Sequence, residues 1–367
     1  MKRIRKVLAV CLLTALLLCA LGQVAGCDTA ALYTATYLDV FDTVLTLQVA
    51  ATDRRSAEDA IREVHECLLD LHRQFDIYHD WAGGNDLKTI NDHAGDGKPI
   101  PVTEDVLSLL ELGAAAYELS GGRVNICMGS VLSLWHTARE TEQLPTEEML
   151  TAAAAHTSPD ALCVDAAAGT VRLTDPDARL DVGAVAKGYA AARAAALLRG
   201  RVASGELVGV LMDIGGQVLT LGTREDGTPW RVGVRDTRPS DGILYDPPRG
   251  EELVSREVKD MTVVTSGVDQ RGFTLDGVRY HHLIDPDTLY PATRYLSVTA
   301  FVPDYATLRV GDYTLDATAF ADALSTALFL LPPEDGQALL ATIPGAYALW
   351  VTAEGQVICS DGWGAEP

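Results

Sequence analysis

The sequence predicts a single α+β domain behind a short N-terminal leader. Three observations carry this. Extended and helical patterns alternate irregularly, without the βαβ rhythm of a doubly wound sheet. No internal repeat, low-complexity linker or composition shift marks a domain boundary. Finally, 48% hydrophobic and 22% charged residues in a 367-residue chain are a globular balance that can fill a sizeable core. The formal net charge of −22 disfavours nucleic acid and anionic headgroups as partners, so an anionic ligand would need a local site.

Residues 1–26 read as a bacterial lipoprotein signal. Lys2, Arg3, Arg5 and Lys6 precede an apolar run from Val7 to Leu21, and V-A-G-C ends at Cys27. Cleavage before Cys27 would leave a lipidated cysteine and anchor the protein in the cell membrane on its extracytoplasmic side. A plain secretory signal or an uncleaved helix are the alternatives, though the run is short for a span. Residues 27–38 would then be a polar tether and 39–363 the domain. Cys67, Cys127, Cys163 and Cys359 are widely spaced with no C-x-x-C, which predicts buried free thiols and neither zinc nor a disulfide framework.

Within the domain, Phe41–Ala50 alternates as a strand. Ser56 then opens a helix with Asp59 completing its capping box and Ile61, Val64, Leu68, Leu71 and Phe75 on one face. The following loop, F-D-I-Y-H-D-W-A-G-G-N-D, is a surface turn region or a ring-binding loop in which Tyr78 could stack. Thr103 caps a helix to about Leu119. Residues 121–135, G-G-R-V-N-I-C-M-G-S-V-L-S-L-W, are Gly-punctuated and apolar, which suits backbone lying close to a ligand or a bend in the core. A polar helix follows Pro145.

The chain is organised around L-D-V-G-A-V-A-K-G-Y at 180–189, a strand end turning at Gly183 into an alanine-rich helix. Lys187 lies in the first helical turn, beside N–H groups without intrahelical partners, which makes a seat for a phosphate or diphosphate. Asp181 would repel a bare phosphate and should accept hydrogen bonds from a ring edge or from the loop itself. An ordinary turn with a solvated lysine fits the same pattern. Strands follow at Val208–Ile214, Gln217–Leu221, Trp230–Asp236 and Met261–Thr265.

In R-Y-H-H-L-I-D-P, adjacent His281 and His282 point to opposite sides of an extended chain and cannot share a metal easily. Asp316–Leu331 is a nearly all-apolar helix stopped by Pro332-Pro333. Asp322 and Thr326 lie on one face of it, and a buried carboxylate there should meet a cation or several donors. A hard metal such as Mg²⁺ fits a carboxylate plus a hydroxyl; a helix–helix hydrogen-bond pair fits as well. A hairpin at Tyr347–Thr352 and Gln356–Ser360 ends the fold.

Five ordered motifs, D-V-G-A-V-A-K-G-Y at 181–189, D-I-G-G at 213–216, T-S-G at 265–267, H-L-I-D-P at 282–286 and A-D-A-L-S-T-A at 321–327, make the chain resemble the ApbE family from about Asp39 to Trp363. These are FAD:protein FMN transferases once described as thiamine-biosynthesis lipoproteins. The resemblance implies a T-fold-related domain and Mg²⁺-dependent transfer of FMN from FAD to a Ser or Thr of an acceptor flavoprotein, such as a membrane redox-complex subunit, with release of AMP. It places the metal on the Ala184 carbonyl, Asp322 and Thr326. It places FAD against Tyr78, Arg123, Val124, Asn125, Asp181, Lys187, His282 and Leu283. His282 would be the base and Asp322 the second catalytic residue. Two departures touch the flavin pocket: Asn125 stands where many members have an acid in G-G-A-F-D-P-T-V, and Leu289 where D-P-x-T-G-x-P has glycine. An FAD pyrophosphatase and a non-catalytic flavin-binding lipoprotein are the competing readings.

Overall fold

The computed structural model describes residues 29–238, 252–310 and 313–364. The leader and Cys27 lie outside the described residues, and no helix among those described is long and apolar enough to cross a membrane. The centre is an eight-stranded antiparallel sheet: β1 (Ala31–Val40), β2 (Thr43–Ala51), β3 (Gly209–Ile214), β4 (Gln217–Gly222), β5 (Met261–Gly267), β6 (Tyr295–Pro303), β7 (Tyr347–Thr352) and β8 (Val357–Cys359). Their order in space is their order in the chain. The sheet is a meander into which helices are inserted at two places, giving the mixed α and β content that irregular patterning predicted.

Six helices lie between β2 and β3: α1 (Arg54–Phe75), α2 (Leu87–Asp92), α3 (Glu104–Leu119), α4 (Gly129–Thr141), α5 (Glu147–Ala154) and α6 (Ala186–Ala203). Two more, α7 (Ala317–Leu330) and α8 (Pro333–Leu340), lie between β6 and β7. Helices α1, α6 and α7 pack on the sheet, and α6 packs on both α1 and α7. Only small residues let α6 approach this closely, and Ala186, Ala190, Ala191, Ala194 and Ala195 are all buried along it. Helix α7 is buried on nearly every side, from Ala317 to Leu330 with Thr326 alone half-exposed.

Several boundaries differ from expectation. The domain does not begin at 39: residues 31–38 are no tether but most of β1, paired with β2 and packing Tyr33, Ala35 and Tyr37 on the core. The β1–β2 hairpin turns at Phe41 and Asp42, both at positive φ (52° and 50°), as a two-residue turn between twisted strands requires. The cap of α1 is Asp53, whose carboxylate accepts from the Ser56 N–H at 2.9 Å, rather than Ser56 with Asp59. Thr103 caps α3 as expected, accepting from the Val106 N–H at 3.2 Å. The Gly-punctuated stretch after 128 is helical, because Val131, Trp135 and Ala138 recur at helical spacing and all three are buried. The four cysteines are free, but only Cys127 is buried, and burial pushes its thiol pKa up to about 11.

Candidate active site

The tips of two hairpins, the start of α6, one face of α7 and the loop after residue 281 surround a cleft of about 880 Å³, large enough for a dinucleotide. The D-I-G-G motif builds one rim. Gly215 and Gly216 form the β3–β4 turn at positive φ, the Asp213 carboxylate accepts from the Gly216 N–H at 2.8 Å, and a Cβ on Gly215 would meet Thr43 Oγ1 at 2.1 Å. Glycine is what lets the two hairpin tips touch.

At the start of α6, Asp181 accepts the Gly183 N–H at 2.9 Å, so its partner is the loop itself. No side chain caps α6; the Ala186 N–H bonds the Val182 carbonyl at 2.9 Å instead. Lys187, in the first turn, does not stand free. Its ammonium lies 3.1 Å from Asp322 Oδ1 and 3.3 Å from Oδ2, and the Gly188 N–H donates to the same carboxylate at 3.3 Å. Asp322, 4% exposed, thus has the cation its burial demanded, from a residue the sequence had assigned to phosphate. The backbone of α6 comes this close because Gly188 has no side chain: a Cβ there would lie 2.3 Å from the Ala319 carbonyl and 2.9 Å from Asp322 Cβ. Ala184 and Thr326 line the cleft beside the pair. The T-S-G motif locks α7 in place, with Ser266 Oγ 2.8 Å from Ser325 Oγ and 3.4 Å from Thr326 Oγ1.

The two histidines face opposite ways, as extended geometry requires. His281 is buried, donates from Nε2 to the Ala292 carbonyl at 2.8 Å and accepts from the Leu283 N–H at Nδ1 at 3.2 Å. Burial lowers its pKa to about 4. His282 turns to the cleft, where its Nδ1 lies 3.2 Å from the Arg271 carbonyl; that bond assigns the proton to Nδ1 and leaves Nε2 as an acceptor. Desolvation, helped by His281, Arg271 and Lys187, lowers its pKa to about 3, so it is neutral at physiological pH.

The remaining expected residues also reach the cleft, some with prior commitments. Tyr78 is exposed at the rim and its hydroxyl bonds His136 Nδ1. Arg123 pairs with Asp285 and Asp287 of the H-L-I-D-P-D loop. Val124 is buried, its N–H donating to Ser120 Oγ at 2.9 Å, and Leu283 forms part of the wall. Asn125 uses its amide where the resemblance would place an acid: its Oδ1 accepts from the Cys127 N–H at 2.9 Å while its Nδ2 donates to the Thr157 carbonyl at 3.0 Å. A carboxylate could not make the second bond. Leu289 sits at φ 66°, the left-handed region that favours the glycine the resemblance would place there.

Sequence reasoning missed His136, Arg139 and Arg271. His136 and Arg139 are three apart on α4, and the helical spacing of Val131, Trp135 and Ala138 was the signal that could have placed them. Arg139 and Arg271 line the cleft with no carboxylate within 4.0 Å among the described residues, supplying the local cationic site that an acidic chain needs for an anion. Away from the cleft, His156, Asp175 and Asp177 bring ligand atoms within 4.8 Å of one another, with His156 Nδ1 2.8 Å from Asp175.

The sequence profile of the ApbE family matches residues 41–350. This chain belongs to the ApbE family. A Treponema pallidum protein named FAD:protein FMN transferase is 32% identical over 331 residues, 86% of this chain and 84% of its own. A Klebsiella pneumoniae protein of the same name is 30% identical over 339 residues, 88% of this chain and 87% of its own. The crystal structure of the ApbE protein from Thermotoga maritima superposes with a TM-score of 0.74 at 27% identity, covering 90% of this chain and 97% of that one. The apo form of Pseudomonas stutzeri flavinyl transferase ApbE gives 0.70 at 25% identity, with 92% and 98% covered.

Proposed function

We propose that this ApbE-family chain is an FAD:protein FMN transferase that moves the FMN half of FAD onto a Ser or Thr hydroxyl of an acceptor protein and releases AMP. The observation that carries the reading is convergence: residues from D-V-G-A-V-A-K-G-Y, D-I-G-G, T-S-G, H-L-I-D-P and A-D-A-L-S-T-A, far apart in sequence, line one cleft. FAD lies along it, with Tyr78 offering its ring at the rim and the α6 N-terminus turning the positive end of its helix dipole to the diphosphate.

The donor set fits a cation of the Mg²⁺ kind. Asp322, Thr326 and the Ala184 carbonyl present oxygen ligands only, and the buried Asp322 carboxylate already faces a cation, the Lys187 ammonium. Bound there, the metal would neutralise charge developing on the diphosphate. His282 takes the proton of the acceptor hydroxyl at Nε2, its ring oriented by the Nδ1 bond to the Arg271 carbonyl. The freed oxygen attacks the phosphorus on the FMN side, the bond from that phosphorus to the bridging oxygen breaks, and AMP leaves with that oxygen. FMN remains joined to the acceptor through a phosphodiester.

The test is in-gel flavin fluorescence of an acceptor protein after incubation with the enzyme, FAD and Mg²⁺. His282→Ala is expected to keep FAD binding and slow labelling by roughly 10²–10⁴-fold; an unlabelled acceptor with wild-type enzyme would end the proposal. Anchoring through lipidated Cys27 belongs to the same reading. Cys27→Ser should move the protein from the membrane to the soluble fraction, and unchanged retention would remove the anchor.

A further inference from the structure

The carboxylate best placed to hold a metal is already occupied by an ammonium. Lys187 Nζ lies 3.1 Å from Asp322 Oδ1, and the Gly188 N–H supplies one further bond. The Asp322 side chain is 6% exposed and that of Lys187 24%. A carboxylate at that depth is strongly disfavoured once its partner is removed. Lysine is suited to a temporary role, because its ammonium is a point charge on a flexible four-carbon stem and makes no fixed bidentate fork. Its Cα sits in the first turn of α6, where the positive end of the helix dipole attracts an anion.

We propose that Lys187 is a resident counter-ion: it holds the Asp322 carboxylate in the unloaded site, yields that carboxylate to the divalent cation, and transfers its ammonium to the diphosphate of the incoming dinucleotide. The inference rests on the proposed function and deepens it. At each stage the charges stay matched. In the unloaded site the carboxylate faces the ammonium; in the loaded site it faces the metal, and the ammonium faces the diphosphate. Two consequences follow physically. The metal binds against a competitor, so its affinity for the flavin-free protein is held down. A diphosphate that accepts the displaced ammonium raises the affinity for metal, and the metal raises that for diphosphate by the same factor.

Calorimetric titration with Mg²⁺, titration with ADP in the presence of Mg²⁺, and thermal unfolding in chelator test this on wild type, Lys187→Met, and Lys187→Met combined with Asp322→Asn. In chelator, Lys187→Met is expected to melt roughly 5 °C below wild type and to recover in Mg²⁺. It should bind Mg²⁺ about tenfold more tightly and ADP about tenfold more weakly, a pair of opposite signs that a merely structural lysine does not produce. The double variant, with both charges gone, should melt near wild type in chelator and lose the Mg²⁺ site. If Lys187→Met folds only with Mg²⁺, that dependence is the expected result in its extreme form. Unchanged or weakened Mg²⁺ affinity in Lys187→Met, with normal wild-type binding, overturns the inference alone. A wild type with no Mg²⁺ response overturns the metal assignment and the inference with it.

Discussion

Gln217 occupies the polar place in a row of apolar neighbours that runs across the sheet through Leu45, Ile214, Val264, Ala300 and Ala348. It is 0% exposed, and neither its amide nitrogen nor its amide oxygen finds a protein partner among the described residues. An unmet buried polar group costs about 1–3 kcal/mol, whereas an apolar group of the same shape costs little. Gln217→Leu is therefore expected to raise the melting temperature by a few degrees in differential scanning fluorimetry; a fall would show that the amide is satisfied and stabilising. His281 makes the pH prediction. Its folded pKa of about 4 is below the ordinary imidazole value near 6.5, so the unfolded chain takes up the proton first. Its contribution is fully present above about 6.5 and is lost as pH falls toward 4. Melting curves from pH 7 to 5 should show declining stability, and a flatter decline in His281→Gln; identical slopes would remove His281 as a cause.

The contact between α6 and α7 decides whether the site forms. Gly188 faces the Ala319 carbonyl with no room for a methyl group, so Gly188→Ala must push the helices apart. The expected loss is about 1–3 kcal/mol, together with weaker FAD binding, because the same shift moves the α6 wall of the cleft away from the α7 wall that carries Asp322 and Thr326. Normal FAD affinity in a destabilised Gly188→Ala protein would show that the site tolerates the shift. Elements with strong local signals were legible in the sequence. The apolar run of α7, its Pro-Pro stop and the Gly-Gly turn between β3 and β4 are where patterning and turn chemistry put them. Strand β1 was not, since Val40 alone of it is fully buried, Tyr33, Ala35 and Tyr37 are half-buried against the core, and Leu32 and Leu38 are exposed on the other side. That half-hidden pattern is the mark of a sheet-edge strand.

For the molecule as a whole, the site was legible as a set of motifs but not as a set of bonds. Spacing put Asp322 and Thr326 on one helix face and Asp181 and Lys187 in one turn, but only the resemblance brought the two pairs together. Sequence could not show that Lys187 would pair with Asp322 across 135 positions, because that contact depends on the approach of two helices. Arg139 and Arg271 went unnoticed for a related reason: an acidic chain carries its cationic site as a few residues gathered by folding, which a net charge of −22 conceals. Mass spectrometry of the acceptor, with AMP quantified in the same reaction, tests whether the cleft passes FMN from FAD to a protein hydroxyl. One FMN ester on a Ser or Thr for each AMP released is the result expected; AMP and free FMN appearing in equal amounts beside an unmodified acceptor would contradict it and make the protein an FAD pyrophosphatase.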